Sequence, residues 1–517
     1  MKSFFGKVAL AVTGALVVLC YSCDSGEQAA TEILGEPIVV EVKPAETKPV
    51  ETKPIETKAV AVEEKPKVQA VVVAEIGDYG ITRDELEQQL IGELRSQAED
   101  EAGPDAAKQV LLKMIAEKAM ITEGRKQDLL ADDSFIKRFR TERLVGLLLG
   151  THLRDKIKVT DPEIDEKMKA NPKWDRARAK TMLEREKSRV LGDEFYNELH
   201  KKLGVRKVRD NFGKAAQIHN RLLYRPQAER KGYWIKNQQI KDELTAEEKG
   251  IVLASFEGGA ITLLDWFGTL NEMSPPSRPK DLGTVKGVER LLDRTMRMPI
   301  FVAEAKRQGL DKDENYVKGV REREDQSLLN KVRRKVYEGL EEPTKEAISD
   351  YFNKHKEEFG SSDTLKIDQI WCQDFKTAEK VKDELNSGRD FESVKQEYSL
   401  RKKESALNAA ANRDGVFFKD LWAGEPNEIV GPVKGFYREG DRRRIKWLVK
   451  WRMVKILEKK PGRMREYSSG VEREVKSRMR NDQREAAVAK YSKELLEKYP
   501  YKIYSERMKD IEPLDVP

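Results

Sequence analysis

Two stretches of the chain run through apolar and polar positions in the same order. "VAEIGDYGITRDELEQQL" at 73–90 and "LASFEGGAITLLDWFGTL" at 253–270 each hold a short apolar run, a glycine turn, the pair Ile-Thr and a helix opening. The displacement that carries Ile81-Thr82 onto Ile261-Thr262 also carries Leu86 onto Trp266 and Leu90 onto Leu270. Lengthened by a single position, it carries Leu111 onto Leu292, Ile115 onto Met296, Leu129 onto Leu310, Phe135 onto Tyr316 and Pro162 onto Pro343. A displacement held in this way at helix-spaced apolar positions reads as an internal duplication of a mainly helical module.

The echo resumes further on. "FYNELHKKLGVRKV" at 195–208 matches "YSKELLEKYPYKIY" at 491–504, each the end of a long helix running into a short extended tail. In the first copy the front helices and this tail are nearly adjacent, whereas in the second a long insert stands between Pro343 and the closing helix. Within that insert, "TLKIDQIWC" alternates like a strand, and "KTAEKVKDELNSGRDFESVKQEYS" is an amphipathic helix stopped at Gly388 and followed by a second short one. "NEIVGPVKG" carries a Gly-Pro turn between extended pieces, and "RIKWLVKWRMVKILEKKPG" is rich in β-formers. The expected fold is therefore mainly α with an inserted α+β domain.

The start of the chain reads as an address. Lys2 and Lys7 flank an apolar run from Val8 to Leu19, too short to span a bilayer comfortably, and "LCYSCDSG" is similar to a bacterial lipobox with Cys23 as the acylated residue. The repeat "KPAETKPVETKPIETK" that follows favours extended chain and offers no core, so it reads as a stalk. The expected division is a signal peptide at 1–22, a linker at 23–70 and a first helical module at 71–245. The front of the second module follows at 246–343, the insert at 344–461, and a C-terminal helix at 462–517 closing the second module.

Charge is mixed, with 98 basic and 91 acidic residues and a net charge of +7, which argues against nucleic acid as the main partner. The basic run "REGDRRRIKWLVKWR" at 438–452 reads as a solvated strand surface. If Cys23 carries lipid and Cys20 is removed, Cys372 stands alone; no Cys/His spacing suggests a metal, and no cofactor is expected.

The insert resembles the parvulin-type peptidyl-prolyl isomerases in "AEKVKDELNSGRDFESVKQEYS", "IVGPV" and "WRMVKILEKKPG", and the whole chain resembles secreted foldases of the SurA/PrsA type. The resemblance implies duplicated chaperone modules plus a parvulin-like domain, acting on unfolded exported proteins at the periplasmic face of the envelope, anchored by lipid. Dimerisation through the helical arms stays open. Parvulins set histidines on the first and last strands, where this chain has Gln369 and Arg452, and no histidine lies in the insert. "ANRDGVFFKDLW" stands for the family's glycine-rich segment, with no helix expected after it; Phe417 and Phe418 are candidates for the proline seat, flanked by Trp371, Cys372 and Met453. Trp266, Phe267 and Met296, with Met273, Met298 and Phe301, are candidates for a client groove kinked at Pro299. The expected activity is a chaperone with weak or lost isomerase chemistry. The alternatives are a working isomerase and a structural envelope protein with a fixed partner.

Overall fold

The computed structural model describes residues 70–96, 104–223, 234–440, 445–509 and 511–515. The signal peptide, the stalk and Cys23 lie outside the described residues, as do 441–444 of the basic run.

The chain opens with β1 (Val72–Ile76) and β2 (Tyr79–Thr82), followed by α1 (Arg83–Ser96), α2 (Pro104–Lys126) and α3 (Ser134–Leu153). Next come α4 (Asp161–Ala170), α5 (Arg176–Lys202), β3 (Arg206–Lys207), α6 (Phe212–Leu223), α7 (Asn237–Glu243) and α8 (Ala246–Lys249). The second copy starts at β4 (Val252–Phe256) and β5 (Gly259–Thr262), with α9 (Leu263–Glu272), α10 (Val285–Arg307), α11 (Glu314–Tyr337) and α12 (Lys345–Lys354). The insert holds β6 (Thr364–Trp371), α13 (Phe375–Asn386), α14 (Phe391–Tyr398), β7 (Leu407–Ala409), α15 (Ala411–Asp414), α16 (Phe418–Trp422), β8 (Ile429–Glu439) and β9 (Lys446–Lys460). α17 (Ser469–Lys498) and β10 (Tyr501–Ile503) close the chain. The fold is mainly helical with an inserted α+β domain, as the periodicity predicts.

The duplicated sentence folds twice in the same way. Thr82 and Thr262 each cap the helix that follows, their backbone N–H groups donating at 2.8 Å to Glu85 and to Asp265. An acid three residues after a capping threonine satisfies the free N–H groups of the first turn, so the Ile-Thr pair fixes where each helix begins. Arg83 N donates to Val71 O, and Leu263 N to Ile251 O, both at 2.8 Å, tying the two strands of each hairpin in one register.

The closing strands cross over. β10 pairs with β1, giving the order β10-β1-β2, while β3 pairs with β4 in the order β3-β4-β5. The tail of the second copy thus completes the sheet of the first, and the tail of the first completes that of the second. The C-terminal helix itself packs on α11 and α12 of the second copy as well as on α2 of the first, while the strand after it belongs to the first copy's sheet. Helix packing agrees: α2 packs on α11 and α17, and α10 on α5.

Two compact units result, one of residues 70–143 with 311–517 and one of 144–310. In the first, a core joins Val73, Leu86, Leu111 and Ile115 to Leu328, Val332, Leu495 and Tyr499. In the second, Trp266, Phe267, Met296, Ile300 and Phe301 are buried, and Phe195 stacks on His152 and Phe301 at 4.6 and 6.1 Å. Each such side chain taken fully from water contributes about 1.5–3 kcal/mol. Pro299 lies inside α10, which is one helix of 23 residues.

The insert is a four-stranded antiparallel sheet in the order β7-β6-β9-β8. Ile370, Cys372 and Met453 face α13 and α14 on one side, while Leu365, Ile367, Val454 and Ile456 face Phe418 and Leu421 of α16 on the other. α15 and α16 are joined by a turn of 3-10 helix at Gly415–Phe417, so "ANRDGVFFKDLW" is itself helical, and β8 follows α16 with no helix between them, as expected.

Candidate functional site

Gln369 and Trp371 sit two apart on β6 and therefore share one face of the sheet. Trp371 is the direct antiparallel partner of Arg452 on β9, which brings Arg452 onto the same face. Arg452 Nη1 donates to Gln369 Oε1 at 2.9 Å, and Nη2 donates to Asp414 Oδ1 at 3.0 Å. The arginine is only 2% exposed, Gln369 4% and Asp414 8%. A buried guanidinium is tolerable only when such partners replace its water.

The network extends through Glu404, in the turn after α14. Its Oε2 accepts from Gln369 Nε2 at 2.9 Å and from Trp371 Nε1 at 3.1 Å, and its Oε1 accepts from Arg401 Nη1 at 2.9 Å. The Arg452 guanidinium lies 5.1 Å from the Trp371 ring centre, Trp371 meets Tyr437 edge-on at 5.3 Å, and Arg401 covers Tyr437 at 4.7 Å. The result is a column of cation, two rings and cation, held by two carboxylates. Beneath it Lys395, almost fully buried, donates to Asp368 at 2.5 Å and to the Glu404 carbonyl at 2.6 Å.

Gly435 on β8 makes room for this column. A Cβ there would lie 2.6 Å from Arg452 Cζ and 2.9 Å from the Trp371 ring. Those are distances at which one atom must move, so the glycine is required by the arginine rather than by its backbone angles.

The other candidates separate. Phe417 and Phe418 are adjacent in sequence but diverge: Phe417 packs on Phe436 at 4.9 Å in the core shared with α1, while Phe418 turns beneath the sheet toward Trp422 at 5.9 Å. They do not form one seat. Cys372 and Met453 lie on the opposite face from Trp371, under α13 and α14. Burial pushes the Cys372 thiol up to about 12, so it is neither a nucleophile nor a ligand at neutral pH. Trp266, Phe267 and Met296 are 0% exposed in the core of the second unit, with Trp266 Nε1 donating to Val288 O at 3.1 Å, so a client cannot reach them. Apolar spacing alone does not tell a groove from a core.

Asp414, Glu404, Gly435 and Arg401 were not singled out from sequence. Asp414 lies in the quoted "ANRDG", where a carboxylate directly before glycine was the one available signal.

The insert also rests on the helices of its own unit. Gln88 Nε2 donates to Trp447 O at 2.9 Å, Gln88 Oε1 accepts from Trp447 N at 3.1 Å, and Arg95 covers the Trp447 ring at 4.0 Å. Gly415 sets its Cα against Leu94 O and Arg95, where a Cβ would collide with backbone.

Part of the chain is similar to known proteins. No protein-family model matches the chain. A parvulin-like peptidyl-prolyl isomerase of Rickettsia typhi is 26% identical over 127 residues, 23% of this chain and 41% of the relative. That of Rickettsia bellii is 30% identical over 128 residues, 23% of this chain and 40% of the relative. Over 23% of its length the chain is thus similar to parvulin-like peptidyl-prolyl isomerases. It spans about two fifths of the length of those curated relatives.

Among solved structures, one described with the SurA-like chaperones of Campylobacter jejuni is 13% identical, covering 49% of this chain and 100% of that one, at a TM-score of 0.22. The foldase PrsA of Streptococcus pneumoniae is 14% identical, covering 50% of this chain and 98% of that one, at a TM-score of 0.23. In this parvulin-like unit, Gln369 and Arg452 stand where the family resemblance places two facing histidines, and the two side chains are hydrogen-bonded to one another.

Proposed function

We propose that this chain is an exported foldase that holds unfolded proteins, with a parvulin-like unit whose isomerase activity is weak or lost. The observation that carries the reading is Arg452 of β9, which lies buried over the face of the sheet and is bound there to Gln369 and Asp414. Rotation about an Xaa-Pro bond needs the twisted amide to be seated and desolvated against a barrier of about 20 kcal/mol. A seat occupied by a paired guanidinium cannot take the proline.

Client holding asks for adaptable apolar surface rather than a fixed constellation. Leu264 on α9 and Met298 on α10 are 44% and 37% exposed, and they replace Trp266, Phe267 and Met296 as the client contacts of the second unit. Export and lipid attachment at Cys23 rest on the sequence alone, on the apolar run from Val8 to Leu19 and the "LCYSCDSG" that follows it.

The test is one preparation of residues 70–517 in two assays. Cis-to-trans isomerisation of a short Xaa-Pro peptide is expected at the buffer rate, and aggregation of a chemically unfolded client is expected to be suppressed. A peptide rate well above buffer would establish a working isomerase instead.

A further inference from the structure

The two sheets are completed with the same register. Ala74 pairs with Ile503 and Glu75 with Lys502, while Ala254 pairs with Lys207 and Ser255 with Arg206. The displacement that carries Ile81 onto Ile261 also carries Ala74 onto Ala254, and the one that carries Phe195 onto Tyr491 also carries Lys207 onto Ile503. Even the flanking bonds correspond: Tyr504 N donates to Val73 O, and Val208 N to Leu253 O, both at 2.9 Å.

Helices and ions follow the same rule. In the first unit Lys498 of α17 reaches Glu123 of α2 at 2.7 Å, Arg125 reaches Asp325 at 2.5 Å, and Arg333 reaches Glu117 at 2.6 Å. In the second unit Lys202 of α5 reaches Glu304 of α10 at 3.0 Å, and Lys207 reaches Glu289 at 3.0 Å. Every one of these pairs takes one residue from each copy. The same holds for the apolar core of the first unit, where Leu86 and Leu111 meet Leu328 and Leu495.

We infer that each copy is an interaction partner for the other, joined by reciprocal exchange of its closing helix and strand, and that the two associate without the covalent link between them. The recognised surface is the open edge of β1, or of β4, with the flank of α2, or of α10. The partner it fits is the closing helix and strand of a second copy of the same module. A hairpin edge left bare exposes unpaired N–H and C=O groups, and the edge is covered only when the other copy supplies its strand. The two copies in one chain have the symmetry of a two-chain exchange, in which the same patches meet twice. This inference does not depend on the state of the isomerase unit.

The experiment uses the full chain with a specific protease site inserted between Leu223 and Trp234, cut to completion. The expected result is that both fragments elute together at the mass of the uncut chain with an unchanged circular dichroism spectrum. After separation in denaturant, mixing them is expected to restore that species. Fragments that elute apart, or an N-terminal fragment that precipitates alone from the cut protein, would overturn the inference.

A second form tests the strands. Tyr504→Pro together with Val208→Pro removes one ladder donor from each exchanged pair while leaving the helices in place. The cut double variant is expected to dissociate at least tenfold faster than the cut parent. Equal dissociation would remove the strands from the interface.

Discussion

Asp414 holds Arg452 out of water: carboxylate oxygen and guanidinium nitrogen are 3.0 Å apart, with the two side chains 11% and 2% exposed. Removing one member of such a pair leaves the other charge buried alone, at about 3–5 kcal/mol. Asp414→Ala is therefore expected to lower the urea midpoint of the protein markedly, read by tryptophan fluorescence. Arg452→Met with Asp414→Leu, which removes both charges, is expected to recover most of that loss.

Acid should weaken both units, with Glu123 among the carboxylates responsible in the first and Glu304 among those in the second. Lys498, then Tyr499 and Gln127, hold Glu123 down to about 2, and Arg307, then Gln308 and Lys202, hold Glu304 down to about 2. Both folded values lie below the ordinary 4.5, so their contribution is complete above about 4.5 and disappears as pH falls toward 2. Glu123→Gln is expected to cost about 1–2 kcal/mol at pH 7, with the gap to the parent closing across that window. Urea midpoints measured from pH 7 to pH 2 check it, and a gap that stays constant would contradict the assignment.

The parvulin-like unit comes closest to the backbone of α1 at Gly415. Gly415 has φ +49° and no room for a Cβ beside Leu94 O. Gly415→Ala is expected to lift the loop from α1 and expose Trp447, which Gln88 and Arg95 now cover. Hydrogen exchange at Trp447 N should rise at least tenfold, while the second unit is unchanged.

Cys372 offers a chemical check on the sheet. Its thiol is fully buried and pushed up to about 12 by burial. Iodoacetamide at pH 8 is expected to leave it unmodified in the folded protein and to alkylate it in denaturant. Rapid labelling of the native protein would mean that α13 and α14 open readily.

The features legible in sequence are those that depend on neighbours along the chain. Glycine turns, the repeated Ile-Thr pair and strand alternation located the helix openings of the two copies, the helix stop at Gly388 and the strands that became β6 and β9. Which hairpin each closing strand would meet was not legible. Ile503 and Lys207 occupy the same register position in their copies, so residue type favours either partner, and the path of the chain decides. The site divides in the same way. Gln369 and Arg452 follow from their places on two strands, but Asp414 and Glu404 come from 38 and 35 residues away from their partners and meet them only once the sheet has formed. Trp266 and Met296 show the limit of periodicity, since helix spacing marks an apolar face without saying whether water or another helix covers it.

Gly435 ties the column into one unit. A histidine at 452 alone would be shorter than the arginine, leaving Asp414 without its donor and open space above the glycine. A buried carboxylate without a partner costs several kcal/mol, so a single change at 452 is unstable by itself. Positions 369, 414, 435 and 452 therefore behave as one lock, in which no residue is free to change until its neighbours change with it.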